Sequence, residues 1–205
     1  AFKKAGLPTQ KFIGTDPIFA PTEKLKKLGV SVHIADESNI NDLVPAGSVD
    51  VIFLQGVIEH LPNPKRTLKV LFGLLKPGGH IVGGTPNVDS IDRRIFGSDW
   101  SGWHAPRHFI LFDWRSIRLY AKACGYELSK VYNELESANF WSVSAHSCLL
   151  KVLSKFMPRL KTRNYYDRLI IYPILLLMGL FAASVQKVFH KTGNMTFVFR
   201  KPLLG

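Results

Sequence analysis

Two rhythms of apolar positions alternate along most of this chain. Between residues 11 and 136, short apolar runs that suit strands are separated by stretches with apolar residues three and four apart, as helices require. Lys11-Phe12-Ile13-Gly14-Thr15-Asp16 predicts a strand closing on a carboxylate. Residues 30–35 predict a second strand, and the intervening residues 22–28 a helix stopped at Gly29. Ser48 to Gln55 follows the turn Pro45-Ala46-Gly47 and is apolar almost throughout, the pattern of a strand buried on both faces. Asn63-Pro64 supplies a cap and first-turn residue for a helix carrying Leu68, Leu71, Phe72 and Leu75. Lys76-Pro77-Gly78-Gly79 is expected to break that helix ahead of a strand at residues 80–84. Another helix is predicted after Asp113, with Trp114, Ile117, Tyr120, Ala121 and Cys124 on one side and Gly125 as its stop. Residues 126–132 then return as a strand.

This repeated strand–helix–strand order predicts an α/β domain whose sheet has helices on both faces. The C-terminal third departs from it. Residues 137–168 follow no clear rhythm, residues 169–185 are apolar or small apart from Ser184, and residues 195–200 alternate like a final strand. The expected organisation is a core at 1–136, a helical insertion at 137–194 containing the apolar segment 169–185, and a closing strand and tail at 195–205.

Composition narrows the class. A chain of 205 residues holds one sizeable domain with an appended segment, and 46% hydrophobic against 20% charged residues excludes wholesale disorder. The two cysteines, Cys124 and Cys148, have no ligand-spaced neighbours. Neither a disulfide nor a metal site is expected, and the cytoplasm is the expected compartment. Ala1 opens no basic-then-apolar leader, so it is expected to follow a processing or truncation point. The net charge of +12 favours an anionic partner. No dense basic stripe accompanies it, which makes nucleic acid the weaker candidate.

The most specific pattern is an ordered set. Val49-Asp50-Val51-Ile52 leads to Gln55-Gly56-Val57-Ile58-Glu59-His60-Leu61, and then to Leu74-Leu75-Lys76-Pro77-Gly78-Gly79-His80-Ile81. It resembles the fourth strand, following helix and fifth strand of class I S-adenosylmethionine-dependent methyltransferases, in the branch that contains the ubiquinone-biosynthesis O-methyltransferases. The likeness runs from about residue 11 to 136, with residues 195–202 as the family's last strand. It implies a Rossmann-like fold with S-adenosyl-L-methionine as cofactor. The implied reaction is methyl transfer to oxygen of a small-molecule, glycan or lipid-linked acceptor. It also implies that Asp16, followed by Pro17, meets the ribose hydroxyls, that Asp36 or Glu37 lies near the adenine, and that Gln55 and Gly56 hold the methionyl part. Ligands in such sheets do sit beyond the carboxyl ends of the strands, and a carboxylate offers several acceptor sites. Plainer uses exist as well: Asp16-Pro17 and Asp36 can start turns, Glu59 can fix a loop, and His60 can be a structural hydrogen-bonder. The chain departs from the family in lacking Gly-x-Gly before Asp16. The first strand and glycine-rich loop are therefore expected to be missing, with Ala1-Phe2-Lys3-Lys4-Ala5-Gly6-Leu7 as the remainder of the following helix.

Thr85-Pro86-Asn87 and the stretch Trp100-Ser101-Gly102-Trp103-His104-Ala105-Pro106-Arg107-His108-Phe109 are expected to wall the acceptor pocket. Asn87, Trp100, Trp103 and Arg107 are the candidate substrate contacts. His104 and His108 are the candidate general bases for an oxygen acceptor, with His60 a third catalytic candidate. The alternative is an ordered lid whose Trp and His residues only pack.

The apolar segment 169–185 would span about 26 Å as a helix, short of a hydrocarbon layer about 30 Å thick. Basic residues flank both ends, Lys161, Arg163 and Arg168 before and Lys187 and Lys191 after. An interfacial or re-entrant element on an anionic membrane surface fits this pattern. So does a soluble helix that covers the acceptor pocket or a dimer surface. Two other function classes stand beside methyl transfer: a nicotinamide-dependent oxidoreductase, and a non-catalytic Rossmann-like module binding a membrane surface or nucleic acid.

Overall fold

A computed structural model describes residues 12–18, 27, 30–133, 137–156 and 165–203, except for the side chains of Phe156 and residues 165–170. The expected helices at residues 1–7 and 22–28 lie outside the described residues, apart from Lys27, as do Lys161, Arg163 and the Arg168 side chain.

Strands β1 (Ile13–Asp16) and β2 (Ser31–Ile34) pair in parallel, Asp16 opposite Ile34. After the short helix α1 (Ile40–Leu43) come β3 (Val49–Gln55), α2 (Pro64–Leu74) and β4 (Leu75–Pro86). Helices α3 (Ile91–Phe96) and α4 (Trp114–Ala123) lead to β5 (Glu127–Asn133). Two long helices, α5 (Ser137–Phe156) and α6 (Tyr165–Val188), precede β6 (Asn194–Arg200). The second sheet has the order β3-β4-β6-β5, with β3 and β4 parallel and β6 antiparallel to both of its neighbours. This is the Rossmann-like α/β arrangement predicted from the sequence.

Local chemistry explains the boundaries. The Asn63 side chain accepts from the Arg66 N–H, and Pro64 occupies the first turn of α2, where its missing N–H costs nothing. Asp113 and Ser116 form a reciprocal capping box on α4, and Gly125 follows with φ of 86°, a conformation cheap only for glycine. Lys-Pro-Gly-Gly does not separate helix from strand. Leu75 already pairs with Val49, so the four residues lie inside β4 as a bulge before His80 meets Val51. Gly78 has φ of 77°, and a side chain on Gly79 would sit 2.9 Å from the Lys76 carbonyl, so glycines let the strand bend without ending.

The core lies between the second sheet and helices α2 and α4, around Leu54, Leu68, Ile81, Phe112, Ile117, Phe197 and Phe199. Gly83 leaves the space that the Phe197 ring fills. A smaller cluster of Ala35, Ile40, Val44 and Leu74, backed by Val49 and Val70, packs the β2–α1 region onto α2. Helix α5, whose residues follow no clear apolar rhythm, packs along α6 through small groups. A side chain on Gly179 would reach the Ala138 carbonyl at 2.6 Å, and the Ser142 hydroxyl donates to Leu175 O at 3.0 Å.

Candidate functional site

Parallel pairing brings the carboxyl ends of β1 and β2 side by side, and the Ala35 N–H donates to Asp16 O at 3.1 Å. Asp16 and Asp36 therefore stand at the ends of adjacent strands. Both make the turns their residue type favours: Asp16 Oδ1 accepts from the Ile18 N–H at 2.9 Å, and Asp36 Oδ1 accepts from the Ser38 N–H and hydroxyl. The Ser38 donors hold the Asp36 carboxyl below its ordinary range. Pro17 and Glu37 flank these two, and Asp36 and Pro17 are exposed. The carboxyl end of β3 carries Gln55, whose amide lies across the backbone of Gly84 where a side chain would not fit. Gly56 then turns the chain with φ of 63° while its N–H donates to Gly84 O at 2.9 Å. Strand ends thus bear the residues expected of a cofactor cradle.

Beyond Gly56, a single 3-10 turn (Ile58–His60) presents Glu59 and His60. The loop at residues 97–110 closes onto it. The Phe109 N–H donates to Glu59 O at 2.9 Å, and the His60 Nδ1–H donates to the Arg107 carbonyl at 2.9 Å. His108 packs edge-on to His60 with ring centres 4.7 Å apart, and His104 lies 4.9 Å from His108. All three histidines named from the sequence therefore meet in one place. Burial lowers the His108 and His104 pKa values, and for His104 the neighbouring His108 and Arg107 charges add to it. Glu59, only 3% exposed, shifts the other way, its carboxyl raised by burial.

The other acceptor candidates fare differently. Trp100 is 1% exposed and belongs to the interior, where Gly102 leaves room for its ring. Asn87 is also buried, its amide donating to Thr192 O and its oxygen accepting from the Asp89 N–H, so it ties β4 to the chain ahead of β6. Trp103 is partly exposed, with its indole N–H donating to Gly97 O, and Arg107 is exposed. Helix α5 grips this loop from behind. The Ser101 N–H donates to Ser144 Oγ, the Ser101 hydroxyl donates to Phe140 O, and Lys151 pairs with Asp99. Sequence reasoning did not anticipate Glu59 as a member of the histidine cluster, although Glu-His adjacency was its visible signal.

A family model described as a methyltransferase domain matches residues 1–131. The chain belongs to this methyltransferase-domain family. Among solved structures it is similar to phosphoethanolamine N-methyltransferase 2 of Haemonchus contortus, described in complex with phosphomonomethylethanolamine and S-adenosylhomocysteine. The two share 16% identity with a TM-score of 0.59, over 100% of this chain and 45% of that one. An S-adenosylmethionine-dependent methyltransferase from Archaeoglobus fulgidus is 15% identical with a TM-score of 0.54, over 98% of this chain and 79% of that one. The cyclase SpnF is 16% identical with a TM-score of 0.53, and the chain spans 89% of its own length and 61% of SpnF. At such identities the likeness is one of fold, and a cyclase among the similar folds shows that this fold also carries other chemistry. No match is found among curated protein sequences.

Proposed function

We propose that this methyltransferase domain binds S-adenosyl-L-methionine at the ends of β1, β2 and β3 and transfers its methyl group to an acceptor held by the loop at residues 97–110. The observation that carries the reading is the family match over residues 1–131, which includes both the cradle and the loop. In it, Asp16 accepts the ribose hydroxyls, Asp36 or Glu37 lies by the adenine, and Gln55 with Gly56 borders the methionyl part. Methyl transfer from a sulfonium is a displacement and needs chiefly alignment of nucleophile, carbon and sulfur. An oxygen acceptor also has to lose a proton, for which the imidazoles of His60, His104 and His108 are the nearest groups to hand. The neighbours named above include an N-methyltransferase, so nitrogen is the competing acceptor atom. Calorimetric titration with S-adenosylhomocysteine tests the reading. Asp16→Ala should weaken binding about tenfold or more, as removal of a charged hydrogen-bond acceptor does. A protein with no affinity for S-adenosylhomocysteine, yet folded, sinks it.

A second element of the proposal concerns where the acceptor is met. Ile174, Leu177, Met178, Phe181, Val185 and Val188 recur three and four apart on α6, and each is at least 43% exposed. The stretch Ile171–Val188 has a mean hydropathy of 1.6 and is 17% buried. Such a row on a protein of charge +12 fits a helix lying in the surface of an anionic bilayer. Helix α5 would then link the membrane-facing helix to the acceptor loop, which favours an amphiphilic or lipid-linked acceptor.

A further inference from the structure

Glu59, His60 and His108 form a cluster of groups able to bind a metal ion. One ligand-capable atom of each lies within 4.8 Å of the other two. Around a zinc-type cation, bonds of about 2.0–2.2 Å place tetrahedral ligand atoms about 3.4 Å apart. Side-chain rotations of a few tenths of an ångström to an ångström would close the set.

The hydrogen bonds around the histidines already fix their form. A carbonyl oxygen only accepts, so His60 Nδ1 must carry the proton it donates to Arg107 O, and His108 Nδ1 the one it donates to Gly102 O at 2.8 Å. When each ring is neutral, Nε2 is then the bare lone pair. Imidazoles that bind metals show this same pattern, one nitrogen anchored on a backbone carbonyl and the other left to the ion. The third group adds an independent sign. Glu59 Oε2 is buried without a well-formed hydrogen bond among the described residues, the Thr85 hydroxyl, itself unpaired, being the nearby donor to this carboxyl, which is a costly state for a carboxylate oxygen. A cation between the three would satisfy it.

We propose that Glu59, His60 and His108 form a binding site for one divalent cation of the zinc class, with a fourth position left for water or an incoming oxygen or nitrogen. The mixed nitrogen and oxygen set suits zinc, nickel or cobalt better than magnesium or calcium, which prefer oxygen alone. His104, its ring centre 6.3 Å from that of His60, stands beside the cluster and is the imidazole left to take a proton when the ion holds the other two. The site joins the turn after β3 to the acceptor loop, so a bound ion would also pin that loop. Beyond the adjacency of Glu59 and His60, sequence spacing did not point to it, because 48 positions separate His60 from His108 and no cysteine takes part.

The experiment is titration of the metal-free protein with cobalt(II), followed by its visible absorption, and with zinc by calorimetry. One equivalent should bind, with the intense absorption of a four- or five-coordinate cobalt site. Glu59→Gln, nearly the same shape, and His108→Gln should each weaken binding about tenfold to a hundredfold. His190→Gln, on a histidine bonded to Asn133 elsewhere in the fold, should leave it unchanged. Zinc should raise the melting temperature of the wild type and not of Glu59→Gln. Absence of a stoichiometric site, the weak absorption of six-coordinate aqueous cobalt, or equal affinity in Glu59→Gln would each overturn the proposal. Should His108→Gln fail to fold, the wild-type spectrum and Glu59→Gln still decide it. Binding of S-adenosylhomocysteine is read separately, so failure of the cation site and failure of the methyltransferase reading remain distinguishable.

Discussion

Helix α6 and strand β6 are neighbours in sequence and both rich in large apolar side chains, yet the fold treats them in opposite ways. In β6, Met195, Phe197 and Phe199 are all at most 2% exposed, enclosed between the sheet and its helices. In α6, Leu177 is 69%, Phe181 74% and Val188 75% exposed, while the groups turned inward are Gly179, Ala183 and Gln186. The helix is inside out for a water-soluble protein: small groups such as Gly179 meet α5, the polar Gln186 meets Asp92 on α3, and the large apolar groups named above face outward. Scattered exposed apolar residues are ordinary, but a continuous row of them marks an interaction surface. Apolar content alone therefore says little about burial. What the opposite face of an element offers to its neighbours decides it, and close packing through small residues is the habit of helices that meet lipid.

The largest expected effect breaks the comparison from the β6 side. Phe197→Ala empties the space over Gly83 and should cost about 3–5 kcal/mol of stability. Phe181→Ala removes as large a ring from α6 and should change stability by no more than about 0.5 kcal/mol. Chemical denaturation of the two variants beside the wild type gives both numbers. Similar losses in the two would mean that the outer face of α6 is covered in solution, for instance by a second copy of the chain.

A middle-sized effect lies where α6 meets the core. Asp92 on α3 is fully buried, with Gln186 Nε2 donating to its Oδ1 at 2.5 Å and no partner for Oδ2 among the described residues. Burial raises its pKa from 3.8 to about 6, the Gln186 bond offsetting only part of this. The folded state thus binds the proton more tightly than the unfolded state does. Stability from this group is fully present below pH 3.8, falls as pH rises toward 6, and is lost above it. Asp92→Asn should abolish that slope and stabilise the protein at pH 7–8 by about 1–3 kcal/mol. Melting temperatures across pH 4–8 check the sign; a loss of stability at neutral pH would mean that the charged carboxylate has a counter-ion.

These residues also mark what the sequence could and could not convey. The strands β3, β4 and β6 and the caps at Asn63 and Asp113 were legible because each rests on local spacing and local hydrogen bonds. The bulge in β4 was misread as a helix stop, since Pro and Gly break either element and only pairing with Val49 and Val51 shows which. Helix α5 left no rhythm because it buries serines at 137, 142 and 144, two of which bond to carbonyls across the packing surface or within the helix. Trp100 and Trp103 look alike in sequence, but only Trp103 reaches the surface. Asp16, Asp36, Gln55 and Gly56 could be placed at or just after strand ends because each adjoins a short apolar run, while their roles came only with the family resemblance. The meeting of Glu59 with His60 and His108 depends on closure of a distant loop, which no local pattern encodes.

The smallest effect on stability carries the sharpest test of the outer face. Leu177→Ser combined with Phe181→Ser leaves the contacts of Gly179, Ala183 and Gln186 untouched, so folding should be nearly unchanged. Binding to vesicles containing phosphatidylserine should fall about tenfold or more, since inserting each such side chain is worth about 1.5–3 kcal/mol. Neutral phosphatidylcholine vesicles should bind the wild type more weakly, and added salt should weaken the phosphatidylserine binding, because Lys151, Lys155 and Lys187 on α5 and α6 are exposed. Co-sedimentation at two salt concentrations measures all three. If the double variant binds vesicles as the wild type does, the apolar row does not enter lipid. If instead its sedimentation in free solution shifts from dimer to monomer, the row is a protein interface, and the acceptor need not be lipid-linked.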